Sequence, residues 1–122
     1  MAFANAKLEK GLELIATLSG LPQVIAGADL LITGEGSLDA QSCFGKTPVG
    51  LAQLAQPHGV PVIALGGRIL PGVDALLEYG ITAIYPISPG PQSLDDARES
   101  AAENLRFTAE QVARTWNAAA KR

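Results

Sequence analysis

Three short apolar runs constrain this chain more than any other feature: Ala28-Asp29-Leu30-Leu31-Ile32-Thr33, Pro61-Val62-Ile63-Ala64-Leu65 and Ile81-Thr82-Ala83-Ile84-Tyr85. Each is a nearly continuous apolar stretch, without the alternation of a half-exposed strand, and each reads as a strand covered on both faces. Each also stops at backbone-breaking residues: Gly34 and Gly36, then Gly66 and Gly67, then the cluster Pro86, Pro89, Gly90, Pro91. The segments between them carry a helical period. Leu8, Leu12, Ile15 and Leu18 recur at spacings of three and four, predicting a helix from Asn5 to about Leu18 that Gly20 and Pro22 stop. Gln23 to Gly27 is too short to assign. Thr47 can cap a helix that begins with Pro48, buries Val49, Leu51, Ala52, Leu54 and Ala55, and ends near His58-Gly59. Pro71 to Tyr79 reads as a short helix closed by Gly80. Ser93 with Asp96 three residues on resembles a capping box. It opens a long helix to about Ala119, whose Leu94, Ala97, Ala101, Leu105, Ala109, Val112 and Trp116 form one stripe.

Strands alternating with helices pair in parallel through right-handed crossovers. The expected fold is therefore α/β: one domain over residues 1–122, an open three-layer, mainly parallel sheet with a Rossmann-like βαβαβ core and a long C-terminal helix. Ligands of such sheets sit outside the carboxyl ends of the strands. Here those ends lead into predicted loops at Gly34–Gly45, Gly66–Leu70 and Ile87–Pro91.

Composition narrows the function classes. A chain of 122 residues that is 48% hydrophobic and 17% charged can bury its own core. With a net charge of -3 and no basic run, it offers no field for nucleic acid. No apolar run reaches membrane-spanning length and the N-terminus does not look like a leader, so the expectation is a cytoplasmic protein without a membrane partner. The one cysteine, Cys43, has no intrachain disulfide partner and no local base, which favours a packed thiol. His58, beside Gly59, reads as a structural helix-end residue, and Phe107 and Trp116 as packing residues.

The polar and ionisable groups concentrate between Thr33 and Pro48. Gly34, Glu35 and Gly36 fit either close phosphate approach or a tight exit from the sheet. Glu35 and Asp39, four apart, either share a divalent ion or divide into metal ligand and base. Gly45-Lys46-Thr47 is not a P-loop, since the glycine required five residues before Gly45 is Ala40. Lys46 either meets a phosphate near a helix N-terminus or is a solvated first-turn lysine. Gly66-Gly67-Arg68 is not a dinucleotide fingerprint. Arg68 suits a carboxylate or a phosphate, or a surface ion pair.

Read as a whole, Ile32-Thr33-Gly34-Glu35-Gly36, Asp39, Gln41-Ser42, Gly45-Lys46, Pro48 and Gly50 resemble the signature of the bacterial glycerate kinases with a two-domain α/β fold. Val62 to Arg68 and Tyr79 to Tyr85 resemble the next segments of that family in the same order. The resemblance runs from about Asp29 to Asn104 and matches only the C-terminal portion of those longer enzymes. It implies phosphorylation of a D-glycerate hydroxyl by ATP with Mg²⁺. Asp39, Glu35 and Lys46 would be catalytic, with Glu35 and Asp39 at the metal. Thr33, Gly34, Gly36, Gln41, Ser42, Gly45, Gly66, Gly67 and Arg68 would line the substrate and phosphate site. It also implies half a site, inactive alone, with a small non-catalytic α/β binding module as the alternative. The partners would be D-glycerate, ATP and either the missing N-terminal half or a second copy, joined through a bare sheet edge or a helix face near Trp116.

Overall fold

The computed structural model describes residues 2–4, 21–40 and 47–121. Four strands, β1 (Ala2–Ala4), β2 (Leu31–Leu38), β3 (Val62–Ile69) and β4 (Ala83–Pro86), form one sheet in the order β1-β2-β3-β4. Every neighbouring pair is parallel. The helices are α1 (Leu21–Ala26), α2 (Thr47–Ala55), α3 (Leu94–Glu99) and α4 (Ala101–Ala120), with 3-10 segments at Gln56–His58 and Val73–Tyr79. The α/β class, the parallel pairing and the long C-terminal helix are as the sequence implies.

Period-2 alternation sorts the strand residues onto two faces. Leu31, Val62 and Ala64 pack with Ile25 of α1, Val49, Leu51, Ala52 and Ala55 of α2, and Leu76 and Ile81. Leu30, Ile32, Ile63 and Leu65 form the other core, against which Leu105, Ala109, Val112 and Trp116 of α4 pack. Helices thus cover both faces. That is why the strands carry apolar residues at consecutive positions.

Several local expectations are corrected. The first two strands run on through their glycines, so 34–38 and 66–69 are strand where loops were expected. The register continues Gly34↔Leu65, Glu35↔Gly66, Ser37↔Arg68 and Leu38↔Ile69, and the Leu70 amide donates to the Leu38 carbonyl at 2.9 Å. Glycine allows this extension: a Cβ on Gly67 would lie 2.8 Å from the Gly36 carbonyl oxygen, and one on Gly66 would lie 2.8 Å from Ile69 Cδ1 and 2.9 Å from Leu38 Cδ1. Past the glycines, Leu38 and Ile69 return to the first core.

Pro22 lies in the first turn of α1 and does not act as a stop, because a proline there removes no intrahelical hydrogen bond. Ala2–Ala4 form a fourth strand, too short to carry a periodic signal. The helix expected from Asn5 to Leu18 lies outside the described residues. Pro71–Tyr79 is a 3-10 segment from Val73, closed as expected by Gly80, whose φ of 102° disfavours a side chain. The C-terminal helix begins with the Ser93 hydroxyl accepting from the Asp96 amide at 3.1 Å, and breaks at Ser100 into α3 and α4.

Candidate functional site

The apolar stripe from Leu94 to Trp116 runs over α3 and α4, and α4 alone, Ala101–Ala120, is about 29 Å long at 1.5 Å per residue. An eight-residue strand such as β2 spans only about 23 Å. The stripe therefore outruns the sheet. Leu105 to Trp116 cover the second face, while Leu94, Ala97 and Ala101 line a cleft with the last residues of β2 and β3. The cleft, of about 630 Å³, opens between strand ends and helices, a size typical of small-molecule sites.

One wall is built by Gly34, Glu35, Gly36 and Ser37 of β2 with Gly67 and Arg68 of β3. The facing wall comes from Leu94, Ala97 and Arg98 of α3 and Ala101, Ala102, Asn104 and Leu105 of α4. Ile87, Ser88 and Gln92, from the segment after β4, close one end. The Ile87 amide donates to the Gly66 carbonyl at 3.0 Å, which fixes that segment to β3. Within it the Ser88 hydroxyl donates to the Gly90 carbonyl and accepts from the Gly90 amide. At the base, a Cβ on Gly34 would stand 3.3 Å from Leu105 Cδ1, so the helix lies close over the strand.

The cleft lining carries two arginines and one glutamate in a chain whose net charge is -3. Arg68 and Arg98 make no ion pair among the described residues. Arg106, by contrast, donates to Glu110 at 2.8 Å and to Glu103 at 3.1 Å on the exposed face of α4. That pairing holds the Glu103 carboxyl below its usual range, through hydrogen bonding and then charge, and raises Arg106. The cleft is thus locally cationic and mostly apolar, with glycine backbone on one side. Such a surface can take an anion whose body is partly apolar.

Of the residues expected from sequence, the structure brings Gly34, Glu35, Gly36, Gly67 and Arg68 into one wall. Thr33 and Gly66 lie elsewhere. Thr33 is fully buried, its Oγ1 without a hydrogen-bond partner among the described residues, and Gly66 faces Leu38 and Ile69 in the core. Asp39, half-buried just beyond β2, is not among the lining residues. Gln41, Ser42, Gly45 and Lys46 lie outside the described residues. Sequence reasoning missed Ser37, Ser88, Gln92, Arg98 and Asn104. The available signal was the overhang of the helical stripe, which places α3 and the first turn of α4 beside the strand ends. Among the described residues no three His, Cys, Asp or Glu side chains come together as a metal site, and no helix is long and apolar enough to cross a membrane.

The comparison with known proteins identifies the family. The model of the glycerate kinase family matches residues 1–117. The chain belongs to the glycerate kinase family. It is 38% identical over 122 residues to a glycerate kinase of Bacillus cereus, covering 100% of this chain and 32% of the relative. It is 35% identical over 115 residues to the glycerate 2-kinase of Escherichia coli, covering 94% of this chain and 30% of that protein. A crystal structure assigned as glycerate kinase 2 of Salmonella typhimurium LT2 superposes with a TM-score of 0.65 at 35% identity, covering 92% of this chain and 28% of that one. The chain therefore spans about a third of the length of the relatives it matches.

Proposed function

We propose that this chain forms one side of the active site of a cytoplasmic glycerate kinase, in which ATP phosphorylates D-glycerate to phosphoglycerate. The observation that carries the reading is the cleft itself: in a chain of this family, Gly34-Glu35-Gly36 and Gly67-Arg68 share one wall at the strand ends, in a cleft whose lining carries two arginines and one glutamate. Phosphoryl transfer needs positioning and charge neutralisation more than covalent chemistry. Gly34, Gly36 and Gly67 let a phosphate chain approach the backbone. Arg68 and Lys46 offset phosphate or carboxylate charge, and Gln41, Ser42 and Gly45 complete the phosphate side.

Mg²⁺ in phosphotransferases keeps waters and phosphate oxygens and takes only one or two protein carboxylates. Glu35, on the cleft wall, fits that role, and the bound ion would neutralise charge on the phosphates. Residues 35 and 39 are about 13 Å apart along extended chain, which favours divided roles over a shared ion. Asp39, just beyond the cleft lining of this chain, is then left as the candidate base for the glycerate hydroxyl proton.

The 122-residue chain by itself is expected to bind without turnover. The test is calorimetric titration of the chain with Mg·ATP and with D-glycerate, alongside an assay for phosphoglycerate. Binding of either ligand supports the reading, with or without turnover, and binding of neither refutes it. Turnover would show that this chain suffices for the reaction.

A further inference from the structure

The helical wall of the cleft is apolar or alanine except at two positions, Arg98 and Asn104. Arg98 is exposed, whereas Asn104 is half-buried beside Leu105, the residue that closes over Gly34. Its backbone amide is used, donating to the Ser100 carbonyl at 2.8 Å, but its carboxamide makes no hydrogen bond among the described residues. Asparagine is a poor residue inside a helix, because its side chain competes for backbone groups. Here it does not compete, and it lies at the base of the cleft without a partner. Its polar atoms are not sealed from solvent, because among the described residues only Thr33 Oγ1 is a buried side-chain polar atom without a partner, so the carboxamide stands open to a ligand entering the cleft.

We propose that Asn104 is a substrate-reading residue: its amide N–H donates to the carboxylate of a small hydroxy acid, and its Oδ1 accepts from a hydroxyl of the same molecule. This rests on the reading of the cleft as a hydroxy-acid kinase site and adds a contact from the helical wall. A carboxamide, donor and acceptor on one planar group, matches an acid bearing a hydroxyl, whereas a phosphate chain offers it only acceptors. Arg98, at the more exposed part of the same wall, supplies long-range attraction without that pairing.

The test uses the 122-residue chain and calorimetric titration with D-glycerate, and separately with ATP, for the unmodified chain and for Asn104→Ala and Asn104→Asp. Helicity is followed by circular dichroism. Asn104→Ala is expected to weaken glycerate binding about tenfold, the worth of a hydrogen bond or two, to leave ATP binding within about twofold, and to keep or raise helicity because alanine is the better helix former. Asn104→Asp is expected to weaken glycerate binding more, since it loses the donor and adds like charge. The side-chain amide resonances that vanish in Asn104→Ala are expected to shift on glycerate addition in the unmodified chain. If that chain binds glycerate while Asn104→Ala binds it equally and those resonances stay still, the inference is wrong and the kinase reading stands. If ATP binding falls and glycerate binding does not, the hydroxy-acid assignment is overturned. If the unmodified chain binds neither ligand, the kinase reading fails and takes the inference with it.

Discussion

The closest backbone approach in the cleft gives the sharpest stability prediction. A Cβ on Gly67 would sit 2.8 Å from the Gly36 carbonyl oxygen, and both partners are strand backbone rather than flexible side chain. Gly67→Ala must therefore push β2 and β3 apart, an overpacking cost of about 1–3 kcal/mol. Loss of unfolded-state freedom offsets about 0.4–1 kcal/mol of it, leaving a net destabilisation of roughly 0.5–2 kcal/mol. Gly36→Ala is the matched control: nothing lies within 4 Å of its Cβ position, and its φ is not in the left-handed region. It is expected to be neutral or stabilising by up to about 1 kcal/mol. Urea denaturation of the two variants should thus separate them by about 1–3 kcal/mol, with an unchanged m-value. Equal midpoints would mean that the two strands do not close against each other at the glycines, and the account of how β2 and β3 outrun their apolar runs would fall. Function should order the same pair differently. Gly36→Ala keeps its fold but puts a methyl into the cleft, and is expected to lose ligand affinity.

Other outcomes follow from burial and charge. Thr33→Val removes a fully buried hydroxyl that has no hydrogen-bond partner among the described residues, so it should be neutral or stabilising by about 1 kcal/mol in urea denaturation. A loss above 1 kcal/mol would mean the hydroxyl is paired. Leu51→Ala empties a fully buried core position and should lose about 2–5 kcal/mol, whereas Phe107→Ala, 56% exposed on α4, should stay within about 0.5 kcal/mol. Glu103 has its folded-state pKa depressed by Arg106. Its contribution is present above the ordinary carboxylate pKa and is lost as pH falls through the lowered one. Glu103→Gln should flatten that acid-side loss of α4 helicity by circular dichroism, and added salt should shrink the difference because the pair is exposed. An identical acid profile in the variant would remove the pair from the pH dependence.

The α/β class was legible because Leu30 to Thr33 and Val62 to Leu65 are too apolar and too short for anything but strands buried on both faces; the third run forms the edge strand β4, from Ala83 to Pro86, where Tyr85 is exposed instead of covered. The Ser93 cap and the stripe ending at Trp116 were equally plain, since both depend on side chains a few residues apart. The extent of β2 and β3 was not legible. Glycine usually ends a strand, and only the close approach of Gly67 to the Gly36 carbonyl, between the pairs Glu35↔Gly66 and Ser37↔Arg68, turns it into a continuation. The β2–β3 wall followed from glycines and charges adjacent in sequence. Asn104 and Arg98 reach the same cleft from more than 60 residues beyond Glu35, brought there by a helix longer than the strands it covers.

The central claim is that the strand-end cleft is where a glycerate kinase substrate binds. Backbone amide shifts of the isotope-labelled chain during D-glycerate titration test it most directly. The account predicts saturable shifts at Gly34 to Ser37, Gly67, Arg68, Ser88 and Asn104, and none along the smaller groove of about 270 Å³ formed by Leu30, Ile63, Tyr85, Val112 and Trp116. Shifts confined to that second groove, or no saturable shift with D-glycerate or Mg·ATP, would contradict it.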